Sequence, residues 1–108
     1  MATVREKQSK FVRLLGLLIE YTYFLGHELT LGEGYVASKT GHMAGSLHYI
    51  RLAQDLNLFV GGKYITGQHA VWDQLGAYWL SLDPQCAWGG TFKSKDYNHV
   101  SLAHGGKK

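Results

Sequence analysis

A histidine and an aspartate stand seven residues apart in "SLHYIRLAQDLNLF" (46–59), a stretch that is otherwise largely apolar. The "LAQDLNLF" part predicts a strand whose leucines face the core, because side chains alternate between the two faces of a sheet. Asp55 then lies on the opposite face, and His48 lies at the loop end, from which it can fold back toward Asp55. A carboxylate in such a place needs a partner. The pair supplies half of a metal site, although a polar loop histidine is an alternative interpretation of His48.

The other half of the site must come from the remaining five histidines. His27 follows a glycine that ends a predicted helix and His69 opens another, so surface or capping roles are expected for both. His104 lies near the terminus, where fraying is expected. His42 precedes His48 in a glycine-rich loop and remains a candidate for lining the site.

His99 is the strongest candidate, because "KDYNHVSL" places it on a closing strand three residues after Asp96. Two histidines and one carboxylate with an open fourth position form the ligand set of a catalytic zinc ion. Zinc lowers the pKa of bound water to roughly 7, and a nearby carboxylate can accept the proton. The sequence therefore predicts Zn²⁺ bound by His48, Asp55 and His99, with Asp96 as the base.

The elements that must position these residues predict an α+β fold. Helical spacing of apolar residues predicts a first helix in "EKQSKFVRLLGLLIEYTYFLG" and a second in "QHAVWDQLGAYWLSL". Strands are expected in "HELTLGEGY", "LAQDLNLFV", "KYITG" and "NHVSL". We expect a small antiparallel sheet with helices on one side and the zinc site on its concave face.

Length and composition favour one domain over residues 1–108. The net charge is +3, but the basic residues collect at the ends without interleaved aromatics, so no nucleic acid is expected as a partner. Cys86 is the single cysteine, which excludes an intramolecular disulfide and favours a small packed thiol. Arg13 and Glu20 interrupt the apolar run of the first helix, so no membrane insertion is expected, with a membrane-surface helix as the alternative.

Two segments carry a resemblance to a known family. "SLHYIRLAQD" resembles the S-x-H-x6-D signature of the LAS-type zinc peptidases, which include VanY-type D-alanyl-D-alanine carboxypeptidases and phage L-alanyl-D-glutamate endopeptidases. "WGGTFKSKDYNH" resembles the later W-G-G-x-(F/W)-x-S segment of that family, followed by an acid-x-x-His. The likeness extends over most of the chain, in the order of elements that the family has.

The resemblance implies that His48, Asp55 and His99 bind zinc and that Asp96 is the catalytic acid/base. Ser46 matches the serine before the first ligand, whose hydroxyl supports the site from outside the ligand set. Trp88 matches the segment that shapes the cleft wall, and its ring is expected to pack under the strands that carry the zinc ligands.

Two positions depart from the family pattern. Val36 stands where many relatives have a substrate-binding arginine, for which Arg51 or Lys39 are candidate substitutes. Thr91 stands where relatives often have aspartate. Neither change removes a ligand or the base, but both put substrate affinity in question.

The expected function is hydrolysis of peptide bonds in the stem peptides of bacterial peptidoglycan, in phage-encoded lysis or wall penetration. We expect a monomer or a virion component, made in the cytoplasm without a signal peptide and reaching the wall by holin release or virion delivery. The alternative is a catalytically weak relative that acts as a structural or wall-binding component.

Overall fold

The computed structural model describes residues 2–35, 37 and 46–108. These residues form an α+β fold, as the sequence predicts. The regular elements in chain order are α1 (Val4–Phe24), β1 (Glu28–Leu31), β2 (Ala53–Val60), β3 (Lys63–Ile65), α2 (Ala70–Leu82), β4 (Cys86–Trp88) and β5 (His99–Leu102). Short 3-10 helices span Leu47–Ile50 and Gly89–Thr91.

The strands form one antiparallel sheet in the order β1-β2-β5-β4, and β3 pairs with β2 beside β5. The long strand β2 is therefore central. Its register with β5 places Asp55 directly opposite His99. Because paired residues share a face, the pairing brings the second half of the predicted site to the first.

Local sequence signals set the helix ends. Thr3 and Glu6 form a capping box that begins α1, and Gly26 in the left-handed conformation follows its C-terminal end. His69 is the N-cap of α2, where its side chain accepts a hydrogen bond from the Val71 amide. The predicted capping role of His69 is confirmed.

The core lies between the helices and one face of the sheet. Its fully buried side chains come from α1, α2, β2 and β5 and the turn before β2: Leu18, Leu47, Leu52, Leu56, Leu58, Trp72, Leu75, Trp79, Val100 and Leu102. The leucines of the central strand thus face the core, as their alternation predicts. Asp55 and His99 alternate with them and lie on the other face.

The structure differs from the sequence expectations at three places. Cys86–Trp88 form a fifth strand that the sequence pattern does not predict, and His48 lies on a 3-10 helix instead of a loop end. His104 does not fray, because its backbone pairs with Lys107 and the Lys7 ammonium bonds to the carbonyl of Ala103 beside it. No helix in the described part of the chain has the length and apolar character needed to cross a membrane.

Candidate metal centre

A tight turn presents His48 to the sheet. The Ser46 hydroxyl accepts a hydrogen bond from the His48 amide at 3.3 Å and caps the 3-10 helix Leu47–Ile50. Arg51 ends this helix in the left-handed conformation, with φ of 58°, a backbone state that is uncommon for a residue other than glycine. The reversal leads straight into β2, so His48 is buried close to Asp55.

The three predicted ligands meet in one place. His48 Nε2 lies 3.4 Å from Asp55 Oδ1, and His99 Nδ1 lies 3.5 Å from the same oxygen. One ligand atom from each residue lies within 4.8 Å of the other two. Among the described residues this is the group that could hold a metal ion.

A backbone carbonyl group holds the other ring nitrogen of His48. His48 Nδ1 lies 2.8 Å from the carbonyl oxygen of Gly34. A carbonyl oxygen can only accept, so Nδ1 carries a hydrogen and donates it. In the neutral ring, Nε2 then turns a lone pair toward Asp55. A partner of this kind, which fixes the tautomer, is typical of metal-binding histidines.

Two glycines bring that carbonyl into place. The segment after β1 runs beside β2, with Gly32 donating to the Asp55 carbonyl and the Glu33 carbonyl accepting from the Asp55 amide. A Cβ on Gly32 would lie 3.1 Å from the Asp55 carbonyl oxygen, and one on Gly34 would lie 2.5 Å from Gln54 Oε1. Glycine at these two positions therefore lets the backbone approach β2, the strand that carries Asp55.

The other nitrogen of His99 faces a hydroxyl. His99 Nε2 lies 3.1 Å from Ser101 Oγ, and Ser101 is fully buried two residues along β5. If Nδ1 binds a metal, Nε2 carries the hydrogen and donates it to this oxygen. The ring of Phe92 lies against His99 with 5.5 Å between ring centroids.

The Asp55 carboxylate gives the clearest sign that a cation belongs here. Asp55 Oδ1 is buried and has no hydrogen-bond partner among the described residues. Its distances of 3.4 and 3.5 Å to the two ring nitrogens exceed those of ordinary N–H···O bonds. Two ligand atoms on a tetrahedral metal at about 2.0–2.1 Å lie about 3.3–3.4 Å apart. The residues present therefore fit a shared metal ion.

The pKa shifts agree with this geometry. Burial favours the neutral form of Asp55, but the facing rings of His48 and His99 outweigh it and lower the pKa of the carboxyl to about 2. Burial also disfavours charged His48, but Asp55 and the Gly34 carbonyl outweigh it and raise the pKa of the imidazole. The carboxylate thus stays ionised and draws a cation, whether proton or metal, toward it.

Asp96 lies beside this group without belonging to it. A β-turn joins Asp96 to His99, because the His99 amide donates to the Asp96 carbonyl at 3.1 Å. The Asp96 amide donates to Gly89, where a Cβ would lie 2.0 Å from the Asp96 carbonyl oxygen. The Asp96 side chain is exposed, and its carboxylate forms no hydrogen bond or ion pair within the described ranges.

A cavity of about 300 Å³ also reaches Asp96. The side chains of Tyr64, Trp72 and Tyr97 line it together with the 65–67 segment. This cavity adjoins the turn that carries the predicted base, whereas the three ligands do not line it.

The remaining predicted residues support their surroundings. Trp88 is buried, donates from Nε1 to the Tyr97 carbonyl at 2.8 Å, and packs so closely that a Cβ on Gly76 would lie 2.2 Å from its ring. Trp88 thus packs in the core against α2. The guanidinium of Arg51 stacks over the Tyr35 ring at 3.7 Å, and Thr91 Oγ donates to the Trp88 carbonyl.

Three positions discussed from the sequence, Val36, Lys39 and His42, lie outside the described residues. Two residues that sequence reasoning missed, Gly34 and Ser101, hold the outer nitrogens of the histidines. Ser101 had a readable signal, since it lies two residues after His99 on the same strand face. Gly34 acts through its backbone, which no residue type indicates.

Neither the comparison with models of known protein families nor the comparison with curated proteins finds a match. The family resemblance of the two sequence segments therefore stays an expectation.

Proposed function

We propose that this protein is a zinc metallopeptidase that hydrolyses peptide bonds in the stem peptides of peptidoglycan, as an L-Ala-D-Glu endopeptidase or a D-Ala-D-Ala carboxypeptidase. The observation that supports it most is the buried Asp55 oxygen with no hydrogen-bond partner among the described residues, faced by His48 and His99. The two sequence segments that resemble LAS-type peptidases supply these ligands and Asp96.

Three protein ligands favour a catalytic site over a structural one. Structural zinc sites almost always have four protein ligands, whereas catalytic sites keep a position for water or substrate. Nitrogen and carboxylate ligands of this kind suit zinc, although they also accept neighbouring divalent metals. Bound zinc would polarise the scissile carbonyl and lower the pKa of water.

Asp96 is the group proposed to move protons. Its carboxylate is exposed and held three residues from a ligand by the β-turn to His99. It would accept a proton from the attacking water and deliver it to the leaving amine, so that one carboxylate serves both halves of the hydrolysis. Arg51, at the end of the turn that carries His48, is the proposed contact for a substrate carboxylate.

The proposed setting is phage-encoded lysis or wall penetration. Stem peptides carry carboxylates, and the net charge of +3 suits an anionic polymer. A protein made in the cytoplasm would reach its substrate by holin release or as part of a virion.

The test compares wild-type protein with Asp96→Asn. Zinc-loaded wild type should release amine groups from purified peptidoglycan, and mass spectrometry of defined muropeptides should identify the bond that is cut. Asp96→Asn should keep its zinc and lose about 10²-fold or more in rate. Asp73→Asn, which removes an exposed carboxylate from the first turn of α2, is the matched control and should retain activity.

A second candidate function has one observation in its favour. Asp96 is not part of the group that could hold the metal, so the same centre would also suit a silent, structural or wall-binding protein. Stoichiometric zinc with binding to peptidoglycan sacculi, but without release of amines, would support this candidate and refute the enzyme.

A further inference from the structure

The outward face of α1 carries apolar side chains that the described chain leaves uncovered. Val12, Leu17 and Phe24 are 66, 41 and 84% exposed. Gly16 lies among them, and no atom would contact a Cβ there within 4 Å. The opposite face of the same helix is in the core, through Phe11, Leu14, Leu18 and Thr22. The helix is therefore apolar on two sides, which is unusual for a surface helix.

Two opposite charges lie on this outward face. Arg13 and Glu20 are exposed and stand seven residues apart, about 10.5 Å along the helix. Neither forms an ion pair in the part of the chain that the structure describes, and neither has an opposite charge three or four residues away on α1. Each charge thus lacks a partner on its own helix.

We propose that α1 pairs with α1 of a second copy of this chain, antiparallel and around a two-fold axis between Gly16 and Leu17. In that register Arg13 faces Glu20 of the second copy, and symmetry repeats the pair. A two-fold interface uses the same patch twice, so a patch that holds both charges at equal distances from its centre is complementary to itself.

The rest of the face fits this arrangement. Gly16 opposes Leu17 of the second copy, so the helices can approach closely where they cross. Phe24, the most exposed of the large apolar side chains in the described residues, comes to lie over the second helix near Ser9 and Val12. In this register residues 9–24 of the two helices overlap, which gives a contact about 24 Å long.

A second copy suits this face better than a membrane surface. Basic residues on an amphipathic helix favour anionic lipid, but Glu20 lies near the middle of the apolar stripe, where such a surface would repel it. The second copy instead pairs both signs. The proposal replaces the monomer expected from the sequence, and it does not depend on the proposed function.

Sedimentation velocity over a concentration series tests the arrangement by charge exchange. Wild type should form a dimer. Arg13→Glu and Glu20→Arg should each raise its dissociation constant by about tenfold or more, since both symmetric pairs become like-charged. The double variant should return to within about threefold of wild type. Lys93→Glu reverses an exposed charge outside α1 and should leave the dissociation constant of the dimer unchanged.

Three outcomes would overturn the proposal. The wild type could remain monomeric at its highest soluble concentration. The single variants could dimerise as well as wild type, which would assign the dimer to another face. A monomer that binds vesicles of phosphatidylglycerol and phosphatidylcholine would make lipid the occupant of this face. Zinc content, and the melting temperature measured in protein dilute enough to be monomeric, should stay constant in all variants because the changed residues are exposed.

Discussion

The hydroxyl of Ser101 should strengthen zinc binding, although it is not itself a ligand. Ser101→Ala removes the oxygen that lies 3.1 Å from His99 Nε2 and leaves the ring N–H without an acceptor. Because Ser101 is fully buried, water does not easily replace it. An orphaned buried donor costs about 1–3 kcal/mol, and every 1.4 kcal/mol is about tenfold in an equilibrium constant. We therefore expect zinc affinity to fall about 10- to 100-fold, the range usual for such outer partners.

The assay is competition for zinc between the protein and a chromophoric chelator. Ser81→Ala is the matched control, because it also removes a serine hydroxyl bond, from Oγ to the Tyr78 carbonyl, at an exposed site on α2. Nitrogen-15 NMR of the histidine rings would report the tautomer of His99 directly. If Ser101→Ala and Ser81→Ala both have zinc affinities within about twofold of wild type, the Ser101 hydroxyl does not position His99 for metal binding.

Further predictions concern the carboxylate, two helix glycines and the thiol. Asp55→Asn should abolish zinc binding, and it should also melt lower than wild type in metal-free buffer at pH 6, because the lowered pKa of Asp55 means that the fold favours the ionised carboxylate facing His48 and His99. Scanning calorimetry with and without zinc checks both halves. Gly76→Ala should lower the free energy of unfolding by about 1–3 kcal/mol, since its Cβ would clash with the Trp88 ring. Urea denaturation measures this change. Gly16→Ala, where no atom lies within 4 Å of the added Cβ, should instead raise the free energy of unfolding by about 1 kcal/mol in dilute protein. Equal effects of the two substitutions would contradict the packing described. Burial raises the pKa of the Cys86 thiol to about 12, so Ellman's reagent at pH 8 should react only after unfolding, and rapid reaction of the folded protein would refute that burial.

The ligand set could be predicted because its signals are local. Alternation along β2 assigns Asp55 to the face away from the leucines, and Asp-x-x-His before a short strand singles out His99. The β2–β5 register then pairs these two residues. The inferences about Asp55 and His99 need only residue types and the period of a strand.

The rest of the site depends on contacts that are distant in sequence. The Gly34 carbonyl reaches His48 from fourteen residues earlier, through a backbone path that side-chain patterns do not encode. The strand Cys86–Trp88 has only three residues, too few for alternation to be visible, and its pairing with β5 defines it. The turn at His48 depends on the left-handed Arg51, a conformation that residue type disfavours.

The zinc content of the purified chain tests the central claim most directly. Wild type and His99→Ala would be loaded with zinc, dialysed and measured by inductively coupled plasma mass spectrometry, with His27→Ala as a control histidine outside the ligand group. We predict one zinc per chain in wild type and His27→Ala, and less than about 0.1 in His99→Ala, because loss of one of three ligands removes most of the affinity. A wild type without zinc, or a His99→Ala protein that retains it, would contradict a metal centre built from His48, Asp55 and His99.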